Sequence, residues 1–105
     1  MATKLALLQG QEQIIADIKE LVDEGKPVGY LFKNPHRISA EKDFLAESSE
    51  DRKIHVTLAP WILLSADSEV LIPKNQVVTI VEPIDSVKEM YSEKLNGSDG
   101  ISTDE

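Results

Sequence analysis

With 105 residues the chain has room for one domain and a single core, short of the paired walls from which most enzymes build a cavity. Its 19 acidic and 11 basic residues leave a net charge of −8, which favours solubility and gives no overall field that attracts polyanions. Cysteine is absent, which excludes disulfides, thiolate metal ligands and thiol nucleophiles, so packing alone must hold the fold.

Lys4 to Gln9 is a short apolar run that ends at Gly10 and predicts a first strand. Gln11 to Glu24 carries two periods at once. Ile14, Ile15, Ile18, Leu21 and Val22 fall at helical spacing, while Ile14, Ala16 and Ile18 alternate as a half-buried strand does; local spacing alone favours helix. Asp23 to Pro27 predicts a turn, and Val28 to Phe32 a strand closing at Asn34-Pro35 and resuming through His36-Arg37-Ile38. Ala40 to Lys53 is dense in charge and reads as a solvated loop pinned by Phe44 and Leu45. Ile54, Val56 and Leu58 alternate with polar residues and run into Pro60-Trp61 and Ile62-Leu63-Leu64, which predicts one long strand bent at Pro60. Glu69 to Pro83, EVLIPKNQVVTIVEP, holds two β-rich runs, Val70 to Ile72 and Val77 to Val81, around the polar turn Pro73-Lys74-Asn75-Gln76; it reads as a hairpin or a sharply bent strand pair. Ile84, Val87, Met90, Tyr91 and Leu95 predict a helix from Ile84 to Leu95, stopped before Asn96-Gly97, with a disordered acidic tail over 96–105. No apolar run approaches the roughly 18 residues of a membrane span. The opening MATKLALLQG lacks the regions of a secretory signal, so the expected location is cytoplasmic.

Chemistry-bearing residues are sparse. Lys33, His36 and Arg37, with Tyr30 and Phe32 beside them, form the one basic cluster interleaved with aromatics, a composition suited to nucleic acid but more often an ordinary polar strand end with core aromatics. His36 and His55 have no metal-ligand spacing, and neither Ser48 nor Ser49 has a base paired with it, so neither a metal, a cofactor nor a catalytic centre is expected. Trp61, inside an apolar run, is expected to anchor a core or an interface.

The pattern hydrophobic-x-Ile, two special residues, two polar residues, Val-Val-x-Ile in EVLIPKNQVVTI resembles the second motif of the Sm-like (LSm) RNA-binding family. KLALLQG, VGYLF, the Pro60-Trp61 bend and the helix IDSVKEMY are similar to the small Sm-like proteins of tailed phages that infect marine cyanobacteria. The resemblance spans Lys4 to Pro83, and residues 1–95 with the C-terminal helix, as one domain. It implies an all-β, strongly bent five-stranded open barrel of the SH3-like kind with a C-terminal helix over its open end, and assigns Gln11 to Val22 to a strand and Ile54 to Ile72 to one long bent strand. Two positions depart from the family pattern. Pro73-Lys74 follow Ile72 where Ile-Arg-Gly is usual, and Pro27 stands where an Asn would pair with Asp23.

The resemblance further implies a homo-oligomeric ring of about five to seven copies, closed by pairing Ile54 to Leu58 of one copy with Val77 to Val81 of the next. Such a ring binds single-stranded nucleic acid, RNA ahead of DNA, in phage or host RNA/DNA processing. Lys74 and Asn75 would face the pore, with Lys26 and Asp23 lining its opening. The competing expectation is a homo-oligomeric structural or adaptor protein that keeps the barrel and has lost nucleic-acid binding. The net charge of −8 and the missing Arg-Gly favour it.

Overall fold

A computed structural model describes residues 2–42 and 54–102. Six strands precede one helix: β1 (Ala2–Leu8), β2 (Gln13–Asp23), β3 (Lys26–Lys42), β4 (Ile54–Pro60), β5 (Glu69–Pro73), β6 (Val77–Val81) and α1 (Asp85–Ser102), with a 3₁₀ turn at Lys74–Gln76. They form one antiparallel sheet in the order β4-β3-β2-β1-β6, and β5 pairs with β3.

Gln13–Asp23 is a strand, not the helix that local spacing favours. The helical pattern arises because both faces of β2 are covered: Ile14, Ala16 and Ile18 enter one apolar cluster, and Ile15 between them enters another. A strand buried on both sides loses its alternation and reads as a continuous apolar run. The first cluster joins them to Ala6, Leu8, Phe32 and Ile72, and the second joins Ile15 to Leu58, Val87 and Tyr91.

The sheet is rolled, and its connectivity requires this. β5 lies on the outer edge of β3 and β6 on the outer edge of β1, yet only Lys74–Gln76 separates them. Two edges of one sheet can be spanned by three residues only if the sheet curls until they meet. The hairpin alternative for this segment is thereby corrected: β5 and β6 pair with different strands, not with each other. The turn hands the chain from one edge to the other.

Curvature in β3 comes from two bulges. Ile15 pairs with His36 and Asp17 with Lys33, so Asn34 and Pro35 together face Ala16; Leu21 pairs with Gly29 and Val22 with Pro27, leaving Val28 as the extra residue. Asn34 takes a positive φ of 52°, tolerable for Asn, and Pro35 costs no ladder bond at a bulge. The β2–β3 turn places Glu24 and Gly25 at φ of 53° and 78°, the signature of a two-residue hairpin whose twist matches its strands.

The expected single strand from Ile54 to Ile72 is two strands separated by 61–68. Pro60 closes the ladder, the Trp61 N–H turns away to the Pro35 carbonyl (3.0 Å), and Ile62, Leu63 and Leu64 are 49, 72 and 95% exposed. The apolar triplet therefore stands in solvent, and six strands replace five. Trp61 itself packs against the first cluster, its ring centroid 6.4 Å from that of Phe32.

The helix begins one residue after its expected start and continues to Ser102, past the predicted stop at Asn96-Gly97 and through most of the segment expected to be a tail. Gly97 does not adopt the positive φ that ends a helix; Gly25 is the one described glycine that has it. Val87, Tyr91, Met90 and Leu95 pack with Ile15, Leu58, Ile38 and Val56, so the helix covers the face opposite the first cluster. Glu82, between β6 and α1, bonds to Lys4 of β1 and to Lys88 of α1 (3.5 Å for the latter), and the Lys4 ammonium holds its carboxyl below the usual range. Of the expected charged loop, Ala40 to Lys42 continue β3, while 43–53, with Phe44, Leu45, Ser48 and Ser49, lie outside the described residues. Among the described helices none is long and apolar enough to cross a membrane.

Gly29 fixes how closely β5 approaches β3, because a Cβ there would stand 2.7 Å from the Ile72 carbonyl oxygen. Gly29→Ala is expected to cost about 2 kcal/mol, lowering the thermal midpoint by roughly 10 °C. Gly10→Ala is the control in the same melting experiment: nothing lies within 4 Å of its Cβ position, and the midpoint should hold.

Candidate nucleic-acid interface

Lys74 and Asn75 occupy the 3₁₀ turn, both exposed. Two contacts hold the turn: Pro73 pairs with Gly29 of β3, and the Gln76 carbonyl accepts from the Gln9 N–H (2.9 Å) at the end of β1. Asp23 and Lys26 form the last pair of the β2–β3 hairpin, three residues before Gly29, and both are exposed. The close β3–β5 approach thus carries the turn to the hairpin end of the sheet, and Lys74, Asn75, Lys26 and Asp23 share that end.

Lys33, His36 and Arg37 are not brought together. Directly paired residues of antiparallel strands point to the same face. Arg37 pairs with Ile14 and shares the face of the first cluster, whereas His36 pairs with Ile15 and Lys33 with Asp17 on the helix face. The bulge between Lys33 and His36 leaves Lys33 and Arg37 exposed on opposite faces, and His36 is only 8% exposed, edge-on to Tyr91 at 5.6 Å between centroids.

That burial shows what the sequence concealed. The Tyr91 hydroxyl shares its proton between the carbonyls of Lys33 (3.1 Å) and Asn34 (3.0 Å), and His36 Nδ1 lies 2.9 Å from the Asn34 carbonyl. A carbonyl can only accept, so Nδ1 carries the hydrogen and Nε2 is the acceptor of the neutral ring. The Asn34 N–H donates to the Ser68 carbonyl (2.6 Å), and the Trp61 N–H to that of Pro35. Two bulge residues therefore tie together the helix, the 61–68 loop and β3. The sequence signal was the Asn34-Pro35 pair, which marks an interruption without saying what docks on it.

The described residues contain no group of three or more metal-ligating side chains. Their chemistry is that of hydrogen bonding and charge. The chain belongs to a family of unknown function, DUF6561, which it matches over residues 1–96. No curated protein matches it.

Burial pushes the Tyr91 phenol from 10.0 up to about 12, and the Asp17 carboxylate adds to the rise. A folded value above the unfolded one means that the protonated phenol is favoured by folding: its contribution is complete below about pH 10 and is lost as pH climbs toward 12. Urea unfolding from pH 9 to 12 should show the midpoint falling across that window. Tyr91→Phe should remove this component of the fall and cost about 1 kcal/mol at neutral pH.

Proposed function

We propose that this family member is an Sm-like, ring-forming protein that binds single-stranded nucleic acid, RNA in preference to DNA, through Lys74 and Asn75, with Lys26 and Asp23 beside them. The observation that carries the reading is that, among the described strands, two end the path of the sheet. β4 and β6 terminate the path of the sheet, and these are the strands whose pairing between copies would close a ring. Unpaired edges recruit another strand, and β6 also exposes Val78 and Val81. Because β4 and β6 are different surfaces, their contact is head-to-tail, which closes into a ring when the rotation per copy allows.

One lysine is weak against a subunit charge of −8. A ring repeats Lys74 around its axis and turns single contacts into a multivalent site. With about five to seven phosphate contacts, single-strand binding would weaken about 100- to 1,000-fold between 50 and 200 mM salt. The adaptor reading, favoured by the acidic surface and by the separation of Arg37 from His36, requires a ring that retains no oligonucleotide at any salt.

Light scattering at micromolar concentration should return about five to seven copies, and a monomer would overturn the assembly. Retention of a labelled single-stranded oligonucleotide should show the steep salt dependence, and Lys74→Glu should abolish it while gel filtration shows the ring intact. Unchanged retention in Lys74→Glu would exclude the turn as the binding surface.

A further inference from the structure

Ile62, Leu63 and Leu64 form a run of three apolar residues that are 49, 72 and 95% exposed, in a chain whose net charge is −8. Single exposed hydrophobics are ordinary on a protein surface, but a consecutive run of them marks a contact surface. The loop that carries them is held in place. The Trp61 N–H donates to the Pro35 carbonyl (3.0 Å) at one end, and the Asn34 N–H to the Ser68 carbonyl (2.6 Å) at the other. Within the loop the Ser65 N–H donates to the Ile62 carbonyl (3.1 Å) and the Asp67 N–H to Ser65 Oγ (3.0 Å). The leucines therefore stand on a preformed knuckle, and ordering it on contact costs little.

A socket of matching chemistry lies elsewhere on the molecule. Between the first turn of α1, the 82–84 link and strands β1 to β4 is a cavity of about 240 Å³. Seven of its nine lining residues are apolar, Gln13 and Glu82 being the other two. The volume falls below the range of small-molecule sites and suits one or two aliphatic side chains. Ile84, a lining residue that is 69% exposed, stands at its mouth. Glu82 brings two cations to the rim, since it pairs with Lys4 and Lys88. The knuckle carries the opposite charge, with Asp67 three residues after Leu64 and Glu69 beyond it.

We propose that the 61–68 knuckle of one copy docks in the socket beside the start of α1 of a second copy, with Leu63 and Leu64 filling the hollow and Asp67 reaching toward Lys4 and Lys88. One chain cannot bring its own two surfaces together: the ties to the bulge keep the loop beside Lys94 and Leu95, in the last third of α1, whereas the socket adjoins the first turn. The two surfaces differ, so the contact is head-to-tail. It is also separate from the edge pairing that would close a ring. If β4 and β6 of neighbouring copies pair antiparallel, as the strands within the sheet do, Pro60 comes near Val77 and Ile54 near Val81. That keeps the loop of one copy and Ile84 of the next at opposite ends of the joined strands. Two leucines bury far less than the roughly 1,200–2,000 Å² of a stable interface, so the contact forms between concentrated chains and leaves the copy number at micromolar concentration unchanged.

The chain has no cysteine, so introduced thiols report on this contact alone. Ala66→Cys marks the knuckle and Ser86→Cys the socket, both at exposed positions that leave the leucines and the lining of the hollow intact. The two full-length variants, mixed at high-micromolar concentration with a short bismaleimide, should give a cross-linked heterodimer in excess of both homodimers combined. Leu64→Asp in the first chain, or Ile84→Glu in the second, should each lower that yield about ten-fold, with thermal midpoints unchanged. The Ile84 carbonyl, which accepts from the Val87 and Lys88 N–H groups, is untouched by the second change. Light scattering reports the ring and cross-linking the knuckle, so either can fail without the other. A heterodimer that does not exceed the homodimers means that loop meets loop or that chains collide by chance, and it overturns the proposal. So does a yield that neither Leu64→Asp nor Ile84→Glu lowers.

Discussion

The bulge at Asn34-Pro35 is the constraint on which the other parts of this fold depend. An ordinary ladder position offers its N–H and C=O to neighbouring strands; a bulge releases them. Here the freed groups are taken up by Tyr91, His36, Ser68 and Trp61, from the helix, from β3 itself and from the loop that divides β4 from β5. The same extra residue exchanges the faces of β3 beyond Lys33. Before the bulge Phe32 points into the rolled sheet; after it His36 points to the helix. One inserted residue thus sets curvature, docking of the helix and the identity of the buried faces.

Sequence patterns report elements well where one face is wet, and poorly where both are dry. β1, β3 and β6 were readable because polar residues or turn formers punctuate them. β2 was not, because Ile14 and Ile15 are buried in opposite directions and no exposed residue marks the period between them. The reverse error affected Ile62 to Leu64. Apolar composition there suggested a strand, yet the loop has no second layer to bury it, and the residues face water. Hydrophobicity expresses a preference that only a neighbouring layer can satisfy, and neither case contained its neighbour within the local window.

The candidate site divides in the same way. Lys74, Asn75, Lys26 and Asp23 lie in turns, where exposure follows from local chemistry, and all four are exposed at one end of the sheet. In a regular strand Lys33 and Arg37 would share one face with His36 on the other. The bulge instead puts Lys33 and His36 on the helix face and Arg37 opposite, an outcome legible only once the pairing with Ile14, Ile15 and Asp17 is known.

The pairing of β1 with β6 also orders events in time. The β1 strand finds its outer partner about seventy residues later, at Val77–Val81, so a nascent chain must hold β1 on β2 with one edge open until β6 has been made. Closing so long a loop costs entropy that grows only slowly with length, but the wait is long, and contacts of this range slow folding. Until then the outer edge of β1 stands open to any strand able to pair with it.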